Sequence, residues 1–566
     1  MFERSCRIFP SEAAVTAAPA QLGAERHGVP PEGRHSTASS VTSLLSGEFL
    51  AALVLTAGFV ARLLTAWRYF LNPDEALHYV LADQSSLTLA WRAALTNAHP
   101  PLLIVVLYYV RFLGHSELLL RMPSVLAGTA CCWIFYEWLK LVTDRTTALV
   151  GLLLLSFAPA LIALSSEVRQ YALLLFFMVS CLSVSESALR ENSPALMMLF
   201  SLSLYGALLS HYSSLIFAFT MGLYMLVRLY PFKKWMMLFA VWAAGQVGAL
   251  ALVSYFLITH VSRLKKSGMA QEIADTWLRK SIFHPGTRSV AAFVPQQTIR
   301  VFTYLFSHGL MGTLVLLAFL AGMALLLWKK AGPWNSTGPS QRQLALLLGL
   351  PFMVNCVAAI AGQYPYGGTR HNAVLGLFAI SGASIALAAW RPAISWIKFL
   401  GIAVALAVCN FFPSPHPVIR EKDQSRDLME QAADYMHHSL PAGSVIISDY
   451  QSGLLLGYYV CGHEVVQILE LSWKTDCGPY TVVTTHPNEW EFYANDLPDQ
   501  LSRVAAIYNL APASKLWLFD AGWIGASAPG LYVGLRSLGC SAPRNFGNNI
   551  FVCELTVPGR AAAKRD

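Results

Sequence analysis

From Phe49 to Phe412 the chain is a succession of apolar runs, most of them close to the ~20 residues that a helix needs to cross the hydrocarbon of a bilayer. Only 13% of the residues are charged, against about 25% in an ordinary soluble protein. Much of the chain therefore faces something other than water. A formal net charge of +8 would suggest a nucleic-acid partner for a soluble protein. Here Lys and Arg sit mostly in short loops between apolar runs, where they act as a topology signal. Spans are predicted at about 48–66, 118–139, 147–164, 171–188, 195–209, 213–229, 235–258, 305–328, 343–361, 372–389 and 396–412. The run Pro101 to Leu113 is too short to cross and is read as an interfacial helix, because polar residues follow it at once.

Counting about eleven spans puts Lys140, Arg145, Arg190, Arg228, Lys233, Lys234, Lys329, Lys330, Arg342, Arg391 and Lys398 in cytoplasmic loops, as the excess of basic residues on that side requires. The loop at 259–304 is also basic, but long loops say little about orientation. Residues 1–46 are rich in Ala, Ser, Pro and Gly and lack an apolar run, so a disordered cytoplasmic tail is expected. Residues 47–412 form the expected transmembrane domain. From Pro413 turn formers and charges appear, and short β-rich stretches such as Ser444 to Ile447, Thr481 to Thr484 and Lys515 to Phe519 alternate with helical ones. This predicts a soluble α/β domain over 413–566, placed outside the cytoplasm by the odd span count.

Cys131, Cys132, Cys181, Cys356 and Cys409 lie in apolar runs and are ordinary packing residues. Cys461, Cys477, Cys540 and Cys553 fall in the polar C-terminal part. Outside the cytoplasm they suit two disulfides, Cys461 with Cys477 and Cys540 with Cys553, with free thiols as the alternative.

Polar constellations gather at the boundary that this topology places outside. The first span ends in "NPDEALHY", with Asp74, Glu75 and His78. A carboxylate at membrane depth costs about 2.5 to 3.5 kcal/mol on insertion scales and usually marks function. His99 opens "HPPL", where the prolines fix the chain at the start of the interfacial helix. The third span closes with "SSEVRQYALL", which carries Glu167, Arg169 and Tyr171; Glu167 with Arg169 reads either as a local ion pair or as site chemistry. "SHYSS" brings His211, and "GQYPYGGTRHN" brings Arg370 and His371 after flexible glycines. A guanidinium beside an imidazole suits a phosphate, while Arg370 with Tyr364 and Tyr366 also fits an aromatic-belt anchor.

In this order, "NPDEALHY", "HPPL", "LRMPSVLAG", "SSEVRQYALL", "SHYSS" and "YGGTRH" resemble the GT-C superfamily, specifically bacterial relatives of the protein O-mannosyltransferases and of the lipid A aminoarabinose transferases. The resemblance covers most of Phe49 to Phe412, and the tail resembles the outer domain of such enzymes only in general character. It implies a GT-C-like fold and an integral membrane glycosyltransferase of hexosyltransferase type in the bacterial plasma membrane. That enzyme would move a sugar from a polyprenyl-phosphate carrier to a glycan, lipid or protein acceptor on the outer face, with inversion. It further implies Asp74 as base with the acidic neighbour Glu75, Arg169 as the arginine of the second acidic motif, and Arg370 and His371 near the lipid phosphate. Two positions depart from the pattern. Tyr171 stands where relatives often carry Asp, which shifts a second carboxylate role to Glu167, and His99 stands where many carry Lys. Donor or acceptor contacts then fall to His78, His99, Arg169, Tyr171, His211, Arg370 and His371. The sequence fixes no cofactor, and a divalent metal ion stays open, since Glu75, Glu167 and His211 are ligand types whose spacing defines no geometry. The rival readings are a transporter or flippase for a lipid-linked or anionic substrate, which predicts two similar halves and broken helices at the midplane, and a non-catalytic scaffold.

Overall fold

Helix α1 (Ser36–Arg68) carries the apolar stretch Gly47–Arg68 and ends where Arg68 meets the first polar turn. The structure is a computed structural model that describes residues 36–266, 278–306, 309–328, 338–391, 426–461, 473–484, parts of 501–557 and a few isolated positions. Three short helices follow α1: α2 (Pro73–Ala82), α3 (Leu87–Ala94) and α4 (Leu102–Val110). Asn72 starts α2 through a reciprocal capping box, accepting the Glu75 N–H while the Glu75 carboxylate accepts the Asn72 N–H, and Pro73 supplies a preset first helical position.

The bundle continues with α5 (Glu117–Val142), α6 (Arg145–Ser156), α7 (Pro159–Ser165), α8 (Tyr171–Glu191), α9 (Pro194–Ser210), α10 (Ser214–Leu229) and α11 (Met236–Phe256), the last prolonged by a π-helical turn over Leu257–Val261. It closes with α12 (Val290–Leu305), α13 (Gly309–Leu327), α14 (Gln341–Ile360) and α15 (Leu375–Ala389). Among the described residues six helices can cross a membrane by length and composition, or seven if the bent pair α6–α7 counts as one; four apolar helices there are shorter, α4 with its following turn among them. The expected interfacial helix at Pro101 to Leu113 is α4. Residues 1–35 of the expected tail, the loop around Lys329 and Lys330, and most of the expected eleventh span at 396–412 lie outside the described residues, while 36–46 of the expected tail belong to α1.

Two of the expected segments carry detail that hydropathy does not report. The run at 147–164 is not straight: α6 and α7 meet at 63°, because Pro159 offers no N–H to the preceding turn and forces Ala158 into extended backbone (ψ 115°). The part of the 259–304 loop from Val290 onward is helical, with apolar Phe293, Val301, Phe302 and Leu305 turned inward.

Arg62, deep in α1, closes the α6–α7 break. Its guanidinium donates to the carbonyls of Ser156 (3.1 Å) and Gly58 (2.9 Å) and to Cys132 Sγ (3.3 Å). A cation at a helix C-terminus satisfies carbonyls that lack helical donors.

The C-terminal region forms a six-stranded sheet of order β2-β3-β1-β4-β6-β5. Its strands are β1 (Val445–Ser448), β2 (Trp473–Cys477), β3 (Tyr480–Thr484), β4 (Lys515–Asp520), β5 (Arg544–Gly547) and β6 (Ile550–Thr556). β3, β1 and β4 run parallel, and the outer pairs are antiparallel. The three anticipated β-rich stretches are β1, β3 and β4. Helices α16 (Arg426–Ser439) and α17 (Tyr450–Tyr459) belong to this region. Disulfides join Cys461 to Cys477 and Cys540 to Cys553, the anticipated pairs. The sheet region does not stand apart from the bundle: one apolar core joins Leu71, Ala76, Tyr79 and Val80 of the α2 region to Leu454 and Tyr458 of α17.

Candidate active site

The loops after α1, α7, α9 and α14 meet at one end of the bundle. Asp74 projects from the first turn of α2, and its Oδ2 lies 3.1 Å from Arg169 Nη1 and 2.8 Å from Arg370 Nη1. The boundary acid of the first span and the arginine-bearing stretch before α15 thus share one oxygen atom across 296 residues of chain. Asp74 Oδ1 takes no hydrogen bond among the described residues. The side chain of Arg169 is 3% exposed, that of Asp74 13% and that of Arg370 30%. Burial graded in this way leaves the cluster open on the Arg370 side.

Each member is held by its own loop. Ser124 donates to the Arg169 carbonyl (3.2 Å), and Arg169 Cζ lies 5.8 Å from the centre of the Tyr171 ring. Arg370 begins a short turn in which Asn372 Nδ2 donates to Gly367 O and Thr369 Oγ1, both at 3.1 Å, and Asn355 donates to Asn372 Oδ1. Gly367 sits at φ +144°, and any side chain there would strike the Gln297 amide.

Around the carboxylate stand imidazoles. His78 stacks on His99 with ring centres 6.3 Å apart, His99 faces His211 at 5.0 Å, and His211 faces His371 at 5.6 Å. Tyr171 lies 5.2 Å from His211. His78 Nδ1 donates to the Asp74 carbonyl (2.6 Å), and His211 Nδ1 accepts the Ser213 N–H (3.0 Å). The loop that carries His99 is pinned by His260 of the π-helical turn, which bonds the Asn97 carbonyl through Nε2 and the Tyr212 hydroxyl through Nδ1.

Glu75 is placed differently from Asp74. Its carboxylate is fully buried and receives Arg121 Nε and Nη2 (2.8 Å each), Val168 N (2.8 Å), and Asn72 N and Nδ2 (3.0 and 2.8 Å). Arg121 also donates to the carbonyls of Ala66, Tyr69 and Phe70. This pair ties the end of α1, the start of α2 and the "SSEVRQ" loop into one block. Glu167 is buried, with Arg370 in electrostatic reach. Gln170 is buried with both amide atoms unpartnered among the described residues. Arg121 was not singled out from sequence, although a lone arginine near the start of an apolar span implies a partner.

Burial alone would raise the Asp74 pKa, but Arg169 and then Arg370 outweigh it and hold the carboxyl well below its ordinary value. Burial, reinforced by Arg169, lowers His78 to about 4. Burial, then Arg169 and Arg370, lowers His211 to about 3. His99 and His371 are pushed well below 6.5 by burial first, then by His211 and the arginines. Among the described residues no three His, Cys, Asp or Glu side chains lie together so as to hold a metal ion, and Glu75, one of the three ligand types considered, is already bound to Arg121.

The fold has a solved counterpart. ArnT from Cupriavidus metallidurans bound to undecaprenyl phosphate superposes with a TM-score of 0.51 at 13% identity, over 90% of this chain and 99% of that one. The protein therefore has the fold of that structure. The segment 98–258, which includes His99, Arg169 and His211, matches the family described as dolichyl-phosphate-mannose-protein mannosyltransferase. The Archaeoglobus fulgidus oligosaccharyltransferase complex with Zn and sulfate is 12% identical, with a TM-score of 0.48 over 83% of this chain and 68% of that one. The Saccharomyces cerevisiae Pmt1-Pmt2 protein O-mannosyltransferase complex bound to the sugar donor is 17% identical, with a TM-score of 0.30 over 39% and 34%. No curated protein matches by sequence.

Proposed function

We propose that this protein is an integral membrane glycosyltransferase that moves a hexose-type sugar from a polyprenyl-phosphate carrier to an acceptor hydroxyl on the outer face of a bacterial plasma membrane. The observation that carries the reading is the bridging of Asp74 Oδ2 by Arg169 and Arg370, with Oδ1 left unbonded among the described residues. A carboxylate doubly paired with guanidinium groups is a weak base at rest. A phosphate entering from the Arg370 side competes for both cations, since arginine binds phosphate in a charge-assisted, bidentate way. Asp74 is then free to accept the acceptor's proton through Oδ1, a contribution of about 10² to 10⁴ in rate. Attack on the face opposite the phosphate inverts the anomeric centre, and the arginines stabilise the charge that develops on the leaving phosphate. His78, His99, His211 and His371 line the donor side, and Tyr171 packs behind them. Glu75 serves the scaffold, and Glu167 is the remaining buried carboxylate near the cations. The same reading puts residues 413–566 outside the cytoplasm and takes glycan, lipid or protein as acceptor.

The polar groups gather at one end of the bundle instead of at the midplane, which favours chemistry at the interface over transport through it. Asp74→Asn tests the scheme: the variant should fold, bind a polyprenyl phosphate and transfer no sugar. A fully active Asp74→Asn protein would remove the base.

A further inference from the structure

Four imidazoles, one from α2 and three from separate loops, form a continuous row at the site, through the ring pairs His78–His99, His99–His211 and His211–His371. His78 and His211 each have one nitrogen committed to backbone. No hydrogen bond reaches the His99 or His371 ring among the described residues, and both are half-buried, on the open side of the cluster. The charged groups facing the row are Asp74 from α2, Glu167 and Arg169 from the loop before α8, and Arg370 from the loop after α14; Tyr171 and Tyr364 add neutral rings. Two carboxylates thus balance two guanidinium groups. A phosphate monoester dianion settling there would add two uncompensated negative charges in a largely water-shielded space, where opposite charge is strongly favoured.

We propose that the His78–His99–His211–His371 row is a proton-accepting anion subsite, which takes up a proton when a phosphate monoester settles against Arg169 and Arg370. The proposal rests on the polyprenyl-phosphate reading above and adds where the proton of the reaction goes. In the transfer the acceptor O–H bond and the anomeric C–O bond to phosphate break, and the glycosidic C–O bond forms. The electron pair of the broken C–O bond stays on the phosphate oxygen, which completes the dianion, and the hydroxyl proton passes by way of Asp74 to the row. When the lipid phosphate departs, the row returns the proton to water. With no anion bound, burial and the two arginines keep the rings uncharged at neutral pH, and an arriving dianion reverses the second of these influences.

The full-length protein in detergent is titrated calorimetrically with farnesyl phosphate at pH ~8, where a phosphate monoester with a second pKa of about 6 is already a dianion. Two buffers of different ionisation enthalpy report the protons exchanged. The expected result is net uptake approaching about one proton per bound ligand, reduced at least about twofold in the His99→Gln/His371→Gln double variant. Binding by the wild-type protein with no proton uptake overturns this inference alone, as does unchanged uptake in the double variant. Absence of farnesyl phosphate binding overturns the carrier reading and this inference with it.

Discussion

The hydroxyl of Tyr459 accepts the Leu71 N–H at 2.8 Å while donating to the carboxylate of Glu117. One side chain of the C-terminal domain therefore grips the turn that leads into Asp74 and the first residue of α5. Tyr458 beside it donates to the His115 carbonyl, and its ring packs edge-on against Tyr79 of α2, 5.0 Å between centres. Tyr459→Phe keeps the ring and loses only the hydroxyl. Small misplacements of a reacting group cost on the order of 10²-fold in rate, so kcat should fall about tenfold or more while the donor KM stays unchanged. Steady-state kinetics with a polyprenyl-phosphate sugar decides; an unchanged kcat would show that the hydroxyl has no positioning role.

Breaking the Glu75–Arg121 pair should cost folding more than chemistry. Removing one partner of a buried ion pair costs about 3 to 5 kcal/mol because the other charge stays buried and unpaired. Glu75→Gln should thus lower the yield and melting temperature of detergent-purified protein more than Asp74→Asn does, because Asp74 is partly exposed and Arg370, one of its two partners, can turn to water. Equal melting temperatures for the two variants would contradict the division of labour between these adjacent acids.

Acid should weaken the fold before carboxylates titrate. His78 and His211 have folded-state pKa values of about 4 and about 3, below the 6.5 of an unfolded histidine. As pH falls through 6.5 the unfolded chain binds protons that the folded one refuses, so stability is lost from there down to the folded values. His78 alone, fully buried, accounts for roughly 3 kcal/mol of this. Unfolding midpoints measured from pH ~7.5 down to ~5 should fall steadily, and His78→Asn should flatten the slope.

Non-reducing peptide mapping should recover Cys461 linked to Cys477 and Cys540 linked to Cys553. Each bridge closes a short loop, of sequence separation 16 and 13, and a loop of about 15 residues is worth about 3 kcal/mol in the chain-entropy account. Reduction should accordingly loosen the sheet region, read as faster proteolysis there.

Much of this architecture could be read before the structure, for identifiable reasons. Lipid imposes runs of about 20 apolar residues, and a charge at their ends is expensive enough to mark function; hence Asp74, Arg169 and Arg370 stood out. Their meeting followed from alternating topology. The partner of Glu75 did not, because Arg121 reaches it only through the rotation of α5 about its axis, which hydropathy does not report. Tyr459 lies in a different domain from Leu71, so local pattern carries no sign of their contact. The bend at Pro159 had its signal in the proline itself, but uninterrupted hydropathy across Phe157 and Ala158 hid it. Helix α12 has no clear hydropathy signal because Pro295, Gln296, Gln297 and Arg300 interrupt its apolar face.

Arg62 bears on biogenesis. Its ligands come from α1 itself, α5 and the end of α6, and no carboxylate pairs with it among the described residues. During synthesis α1 leaves the ribosome before α5 and α6, carrying a cation whose cost in a lone helix is about 2.5 to 3.5 kcal/mol. That cost is offset only after Cys132 and Ser156 have followed into the bilayer. The crossing by α1 is therefore a provisional one, and the order of translation makes the kinked pair behind it the element that commits the chain to its final assembly.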